Sequence, residues 1–323
     1  MVSVSAVIPT YNGTRYLVDA VQSALTQTYE LLEIIVVDDG SEADIEKILA
    51  PFFPKVKFVR QENAGPAAAR NHGISIAKGD LIALLDDDDM WHPTKTALQV
   101  QRMIENPECG LVYSYQELID EQGRVIPNEA PTEFPSGSVY REFLTKNRIG
   151  TPSATLIRRE VFEKIGLFDE TRECISCEDY DLWLRISGNF DVMFCPGTLV
   201  SYRVRNSGIS QNLDKHLKAH HYVFNKLISQ HIESPKLTDR EFYAAFGFNL
   251  HHTLKRFAYG YYYIVENRTK ARCLMLAVLR KHPFCFKDIL YFIIFSMPDP
   301  LFRVLRRTKQ KLADACLSLQ LKS

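Results

Sequence analysis

"EIIVVDDGS" (residues 33–41) is a β-branched, apolar run that stops abruptly at two aspartates, a glycine and a serine. A run that is apolar at every position suits a strand buried on both faces of a parallel sheet. Upstream, "VSAVI" (4–8) leads through "YNG" into Leu17, Ala20, Val21, Ala24 and Leu25, which share one face at helical spacing. Downstream, "VKFV" (56–59) precedes the helical "GPAAARNHGISIAKG" (65–79) and then "LIALL" (81–85). Strand alternating with helix over short connections implies an open, Rossmann-like α/β sheet with right-handed crossovers. Ligands of such sheets bind at the carboxyl ends of the strands. There the sequence has "PTYNG" (9–13), "DDGS" (38–41) and "DDDD" (86–89), which should converge on one crevice.

The 323 residues carry 39 basic and 39 acidic side chains. A balanced charge gives no global attraction to nucleic acid, so electrostatic function must be local. "MVSVSAVIPTYNG" lacks the basic and apolar regions of a secretory leader, and a cytoplasmic catalytic part is expected. Cys109, Cys174, Cys177, Cys195, Cys273, Cys285 and Cys316 are odd in number and irregularly spaced, which fits reduced thiols. "CISC" (174–177) has metal-site spacing but no second Cys or His pair at zinc-site spacing.

Past residue 109 the pattern is mixed. "GLVYS" (110–114) reads as a strand, "YQELIDEQGRVIP" (115–127) as a hairpin turning near Gly123, and "SATLIR" (153–158) as another strand. Helices are expected over 159–165 and 178–186. From residue 212 onward the chain reads as helices rich in Tyr, Phe, Leu and Lys. "DILYFIIFSM" (288–297) falls well short of the roughly 20 apolar residues that span a bilayer. "LFRVLRRTKQK" (301–311) is basic and amphipathic, as expected of a helix lying on an anionic membrane surface or of a packed helix with a solvated face. The expected organisation is an α/β domain over 1–211, in two parts at 1–114 and 115–211, followed by a helical region over 212–323.

Four adjacent carboxylates repel one another, and a divalent cation offsets that repulsion. Asp86 and Asp88, two apart in an extended segment, can point the same way. Mg²⁺ or Mn²⁺ held by such carboxylates fills its other positions with water and phosphate oxygens. A solvated or helix-capping turn is the alternative, with Asp89 the structural member.

In this order, "AVIPTYNGTRYL" (6–17), "EIIVVDDGS" (33–41), "GPAAARNHGI" (65–74), "GDLIALLDDDDMWHP" (79–93), "GLFDE" (166–170) and "CEDYDLWLRI" (177–186) resemble the family 2 glycosyltransferases of GT-A fold. The similarity runs from residue 3 to about 210. It implies inverting transfer of a sugar from a nucleotide sugar, usually a UDP-sugar, to a hydroxyl of a glycan or lipid-linked acceptor. Such chemistry would serve cell-surface polysaccharide synthesis at the inner face of the membrane, with peripheral membrane contact through the C-terminal region.

Carried over residue by residue, the resemblance puts Pro9, Tyr11 and Asp39 in the nucleotide pocket, Tyr11 stacking on uracil and Asp39 accepting from its N3–H. Asp38 would be structural or would assist Asp39. Arg70 contacts the donor phosphates or the aspartates, Asp88 ligates Mn²⁺ or Mg²⁺, Asp86 contacts ribose or the metal shell, and Asp87 joins the donor site. Four consecutive aspartates leave the register of this DxD element open. Asp179 is the general base, with Glu178 and Trp183 on the acceptor side. Local alternatives remain for each, including packing for Tyr11 and Trp183 and helix capping for Asp179. Family members often carry "YRxH" after the base, whereas this chain has "YRVR" (202–205), so Arg205 stands where a histidine would reach the metal or diphosphate. A sugar-1-phosphate nucleotidyltransferase or a silent nucleotide-sugar binding subunit are the other readings. The first lacks its Gly-rich phosphate loop here, and a dinucleotide-dependent dehydrogenase lacks G-x-G-x-x-G.

Overall fold

The computed structural model describes residues 2–128, 130–205, 212–263, 265, 267–281 and 286–296. The elements run β1 (Val4–Thr10), α1 (Leu17–Leu25), β2 (Glu33–Asp38), α2 (Ile45–Leu49), β3 (Val56–Arg60), α3 (Pro66–Ile76) and β4 (Leu81–Leu84). Then come β5 (Met90–Trp91), α4 (Lys95–Glu105), β6 (Cys109–Ile119), β7 (Val125–Ile126), α5 (Tyr140–Thr145), β8 (Thr155–Arg158) and α6 (Arg159–Ile165). The remainder is α7 (Glu178–Ser187), β9 (Asp191–Arg203), α8 (Leu213–Glu233), α9 (Asp239–Tyr263), α10 (Arg268–Lys281) and α11 (Phe286–Ser296).

One nine-stranded sheet has the order β3-β2-β1-β4-β8-β6-β9-β5, with β7 paired to β6. Strands β3, β2, β1 and β4 are parallel, as the alternating pattern implies. Ile34 to Val37 are buried on both faces, each such side chain worth about 1.5–3 kcal/mol against solvent. Helix α3 lies close against β1 because Gly73 has no Cβ, which would collide with Val7. Beyond β4 the sheet is mixed: β8 runs antiparallel between β4 and β6, and β6 pairs in parallel with β9. Strand β6 is longer than the expected 110–114 because β9 pairs with it as far as Ile119, through register shifts around Tyr115. The expected hairpin is present, its turn closed by Gly123 N–H donating to the Asp120 carbonyl.

The described chain forms two compact units, Met1–Phe246 and Gly247 onward. This differs from the expected boundary at 211, because α8 belongs to the first unit. Lys226 of α8 is 2.8 Å from both Asp169 and Asp181, and Tyr222 donates to Asp169. In the second unit Tyr262 stacks on Phe295 and Lys255 pairs with the buried Asp288. Among the described residues no helix is long and apolar enough to cross a membrane. The basic stretch 301–311, Cys285 and Cys316 lie outside the described residues.

Candidate active site

The ends of β1, β2 and β4 come together as the pattern implies. After β1, Tyr11 is 53% exposed, and Asn12 and Ser41 tie the first loop to the second through Asn12 N–H to Ser41 Oγ at 2.8 Å. After β2, Asp38 is fully buried, accepts from Ser41 N–H and faces the Arg60 guanidinium. Asp39 accepts from Gln61 Nε2 at 2.8 Å, Ala64 N–H at 2.9 Å and Gly65 N–H at 2.8 Å. A carboxylate has about four acceptor sites, so one is left beside the three that shape the turn into α3. His72 Nδ1 lies 2.8 Å from Gln61 Oε1 and so braces the same carboxylate.

The four aspartates after β4 point in different directions. Asp86 pairs with Arg70 Nη2 at 2.7 Å. Asp87 turns toward the first loop, where the Thr10 hydroxyl donates to it at 2.5 Å. A Cβ on Gly13 would strike that carboxylate. Asp88 pairs with Arg205 Nε at 2.8 Å. Asp89 is buried and accepts from Thr151 Oγ1, Ser153 Oγ and Arg203 N–H at 2.9, 2.6 and 3.0 Å. Burial, reinforced by the Asp88 charge, pushes Asp87 up to about 7, and burial raises Asp88 against the opposing pull of Arg205.

Arg70 connects this cluster to α7. Its guanidinium is buried, with Nη1 3.0 Å from Glu178 and Nη2 on Asp86, over the Phe168 ring. The two carboxylates overcome the effect of burial and raise its pKa. Asp179, in the first turn of α7, is partly exposed and accepts from Tyr180 N–H at 2.7 Å. Burial, then the Glu178 charge, raise it to about 7, the range in which a carboxylate serves best as a proton acceptor near neutrality.

The family model described as "Glycosyl transferase family 2" matches residues 5–166, half of the chain. The chain belongs to glycosyl transferase family 2. A Rickettsia bellii protein described as an uncharacterized glycosyltransferase is 32% identical over 243 residues, 74% of this chain and 34% of its own length. The Escherichia coli UDP-Glc:alpha-D-GlcNAc-diphosphoundecaprenol beta-1,3-glucosyltransferase WfgD is 31% identical over 219 residues, 67% of this chain and 82% of its own. The chain spans between 34% and 64% of the length of its rickettsial relatives. The crystal structure of S. aureus TarS 1-349 in complex with UDP-GlcNAc has a TM-score of 0.63 at 16% identity, covering 95% of this chain and 92% of that one. That likeness shows the shared GT-A-type fold, here with a helical C-terminal region.

Against the family 2 expectations, three residues take other places. Trp183 is fully buried, edge-on to Phe168, so it is core and does not meet an acceptor. Glu178 is buried, with one oxygen on Arg70 and the other accepting from Ser176 N–H at 2.7 Å, so it anchors the guanidinium instead of facing an acceptor. Pro9 is buried within β1, in register with Val37 of β2. Several participants escaped the sequence reading. Thr151 and Ser153 hold Asp89, and Arg203 Nε donates to the Asp88 carbonyl at 3.0 Å. The short "GTPSA" (150–154) has no periodicity to mark it, and Arg203 alternates on a strand like any other residue.

The donor set of the Asp cluster is all oxygen, as Mg²⁺ and Mn²⁺ prefer. These residues fit a hard divalent ion. Asp88 has one oxygen outside its Arg205 pair, and Asp86 has one outside its Arg70 pair.

Proposed function

We propose that this chain is an inverting glycosyltransferase that moves a sugar from a UDP-sugar to a hydroxyl of a glycan or lipid-linked acceptor. Its place would be cell-surface polysaccharide synthesis at the cytoplasmic face of a membrane. The donor and acceptor classes rest on kinship: WfgD is named for UDP-Glc and a diphosphoundecaprenol acceptor, and the TarS structure holds UDP-GlcNAc.

The observation that carries the reading is the buried Arg70 bridge, at 2.7 Å to Asp86 and 3.0 Å to Glu178. It fixes the aspartate cluster and the start of α7 in one site, with Asp179 adjacent. Asp179 takes the proton of the acceptor hydroxyl, whose oxygen bonds to the anomeric carbon from the face opposite the diphosphate. The bond from that carbon to the diphosphate oxygen breaks as the new one forms, the electron pair leaves with UDP, and one displacement inverts the centre. A single carboxylate suffices because the leaving group needs charge neutralisation and not a proton. Mn²⁺ or Mg²⁺ held by Asp88 and Asp86 supplies part of that neutralisation when bound. Arg205, partly exposed beside Asp88, supplies another part from the chain itself. The exposed Tyr11 ring stacks on the base, and the remaining acceptor site of Asp39 meets its N–H.

The test is a donor screen by thermal shift with Mn²⁺, followed by turnover of the stabilising donor. UDP-sugars are expected to stabilise the wild type and Asp179→Asn alike, and only the wild type to release UDP on acceptor. Equal turnover by Asp179→Asn would remove the base from the scheme.

A further inference from the structure

The partner missing from the neighbourhood of "CISC" is "HLKAH" (216–220), a histidine pair that the fold brings to Cys177. We propose that Cys177, His216 and His220 form a zinc site at the N-terminus of α7, separate from the oxygen-lined aspartate cluster. One ligand atom from each of the three lies within 4.8 Å of the others. Cys177 Sγ is 3.0 Å from His220 Nδ1. The two histidines sit four apart on α8, their rings stacked at 4.6 Å and 18°, so both present the same face. Paired histidines at this spacing on one helix are a recurrent zinc arrangement. Zinc bonds of about 2.3 Å to sulfur and 2.0–2.1 Å to nitrogen put tetrahedral S···N separations at roughly 3.5 Å. The observed 3.0 Å from Cys177 Sγ to His220 Nδ1 is about half an ångström shorter, so a small outward shift of one side chain admits the ion.

The chemistry selects the ion. A thiolate with two imidazoles suits zinc, whereas Mg²⁺ and Mn²⁺ favour carboxylate oxygens. Cys177 and His220 are buried and His216 is partly exposed, with Phe224 edge-on to His220 at 5.9 Å. The site is therefore sheltered on the apolar side and open at one corner, where a fourth ligand from water completes the shell. Cys177 immediately precedes Glu178 and is the N-cap residue of α7. An ion there ties α8 to the first turn that carries Glu178 and Asp179, and so acts as a positioning element. Any effect on transfer rests on the role proposed for Asp179, but the site itself does not.

The experiment titrates Co²⁺ into the untagged full-length chain after chelator treatment and reads the near-ultraviolet thiolate-to-cobalt band. A band saturating at one equivalent, erased by Zn²⁺ and not by Mn²⁺, is expected in the wild type. Cys177→Ser is expected to lose it, and His216→Ala to bind Co²⁺ about tenfold more weakly or worse. No thiolate band in the wild type, or the same band in Cys177→Ser, overturns the site. Should Cys177→Ser not fold, His216→Ala at the more exposed position decides, and unchanged affinity there is equally fatal. Because the readout involves no sugar transfer, its failure is distinct from failure of the glycosyltransferase reading.

Discussion

Arg205 Nε lies 2.8 Å from Asp88 Oδ2, so a guanidinium already occupies one side of the carboxylate proposed above to hold the metal. Arg205 and a divalent cation therefore compete for Asp88. Arg205→Ala is expected to lower the Mn²⁺ concentration giving half-maximal thermal stabilisation. It should also weaken UDP binding at zero metal by about 1 kcal/mol or more, as for a charge-assisted contact. Unchanged Mn²⁺ titration in the variant would place the ion elsewhere.

Arg70 is a buried cation between two carboxylates, and removing one partner of such a set costs about 3–5 kcal/mol. Arg70→Met is expected to lose stability of that order in urea unfolding. Arg70→Lys should recover only part of it, since one ammonium cannot reproduce the fork that reaches Asp86 and Glu178 separately. Full recovery by lysine would mean that charge alone matters there.

Gly13 leaves room for the Asp87 carboxylate beneath the first loop. Gly13→Ala is expected to displace Asp87 and weaken UDP binding by about 1–2 kcal/mol, roughly 5–30-fold, measured by calorimetry. Binding equal to wild type would show that Asp87 has no part in the donor site.

Lys95 is buried over the Trp91 ring with its ammonium on the Thr155 carbonyl, and burial lowers its pKa to about 7 from 10.5. Between those values the unfolded chain binds the extra proton, so this residue makes stability rise with pH. Lys95→Met is expected to be the more stable protein at pH 7. The gap should close by about 2 kcal/mol between pH 7 and 9, read from urea midpoints at each pH. A constant gap would mean that Lys95 does not titrate in this window.

The parallel half of the sheet was legible because β-branched runs such as 34–37 can be satisfied only by burial on both faces. The carboxyl ends of those strands brought Tyr11, Asp39 and the aspartates together for the same reason. Periodicity was less informative for α7. It groups Tyr180, Leu182, Trp183 and Ile186 but does not say what covers them, so core packing and acceptor contact stayed open for Trp183 until Phe168 was seen against it, and the Arg70 pairing of Glu178 was not foreseen. The change in composition near residue 212 suggested a boundary, yet ion pairs from Lys226 hold α8 to the first unit. Pairings across such separations leave no local pattern; the His216 and His220 spacing is visible in the sequence, but its meeting with Cys177 is not.

Asp89 draws its partners from far along the chain: Ser153 is 64 residues later and Arg203 is 114 residues later. During synthesis, then, the four aspartates emerge long before the hydroxyls and backbone donors that hold their turn. Within the first 114 residues Asp86 has Arg70 and Asp87 has Thr10, but Asp88 and Asp89 still lack the Arg205 charge and the Thr151, Ser153 and Arg203 donors. Closure of the site thus waits on non-local contacts, which are the slow ones to form. The turn that ends β4 is completed from β9 and from the segment leading into β8, in the later part of the same sheet.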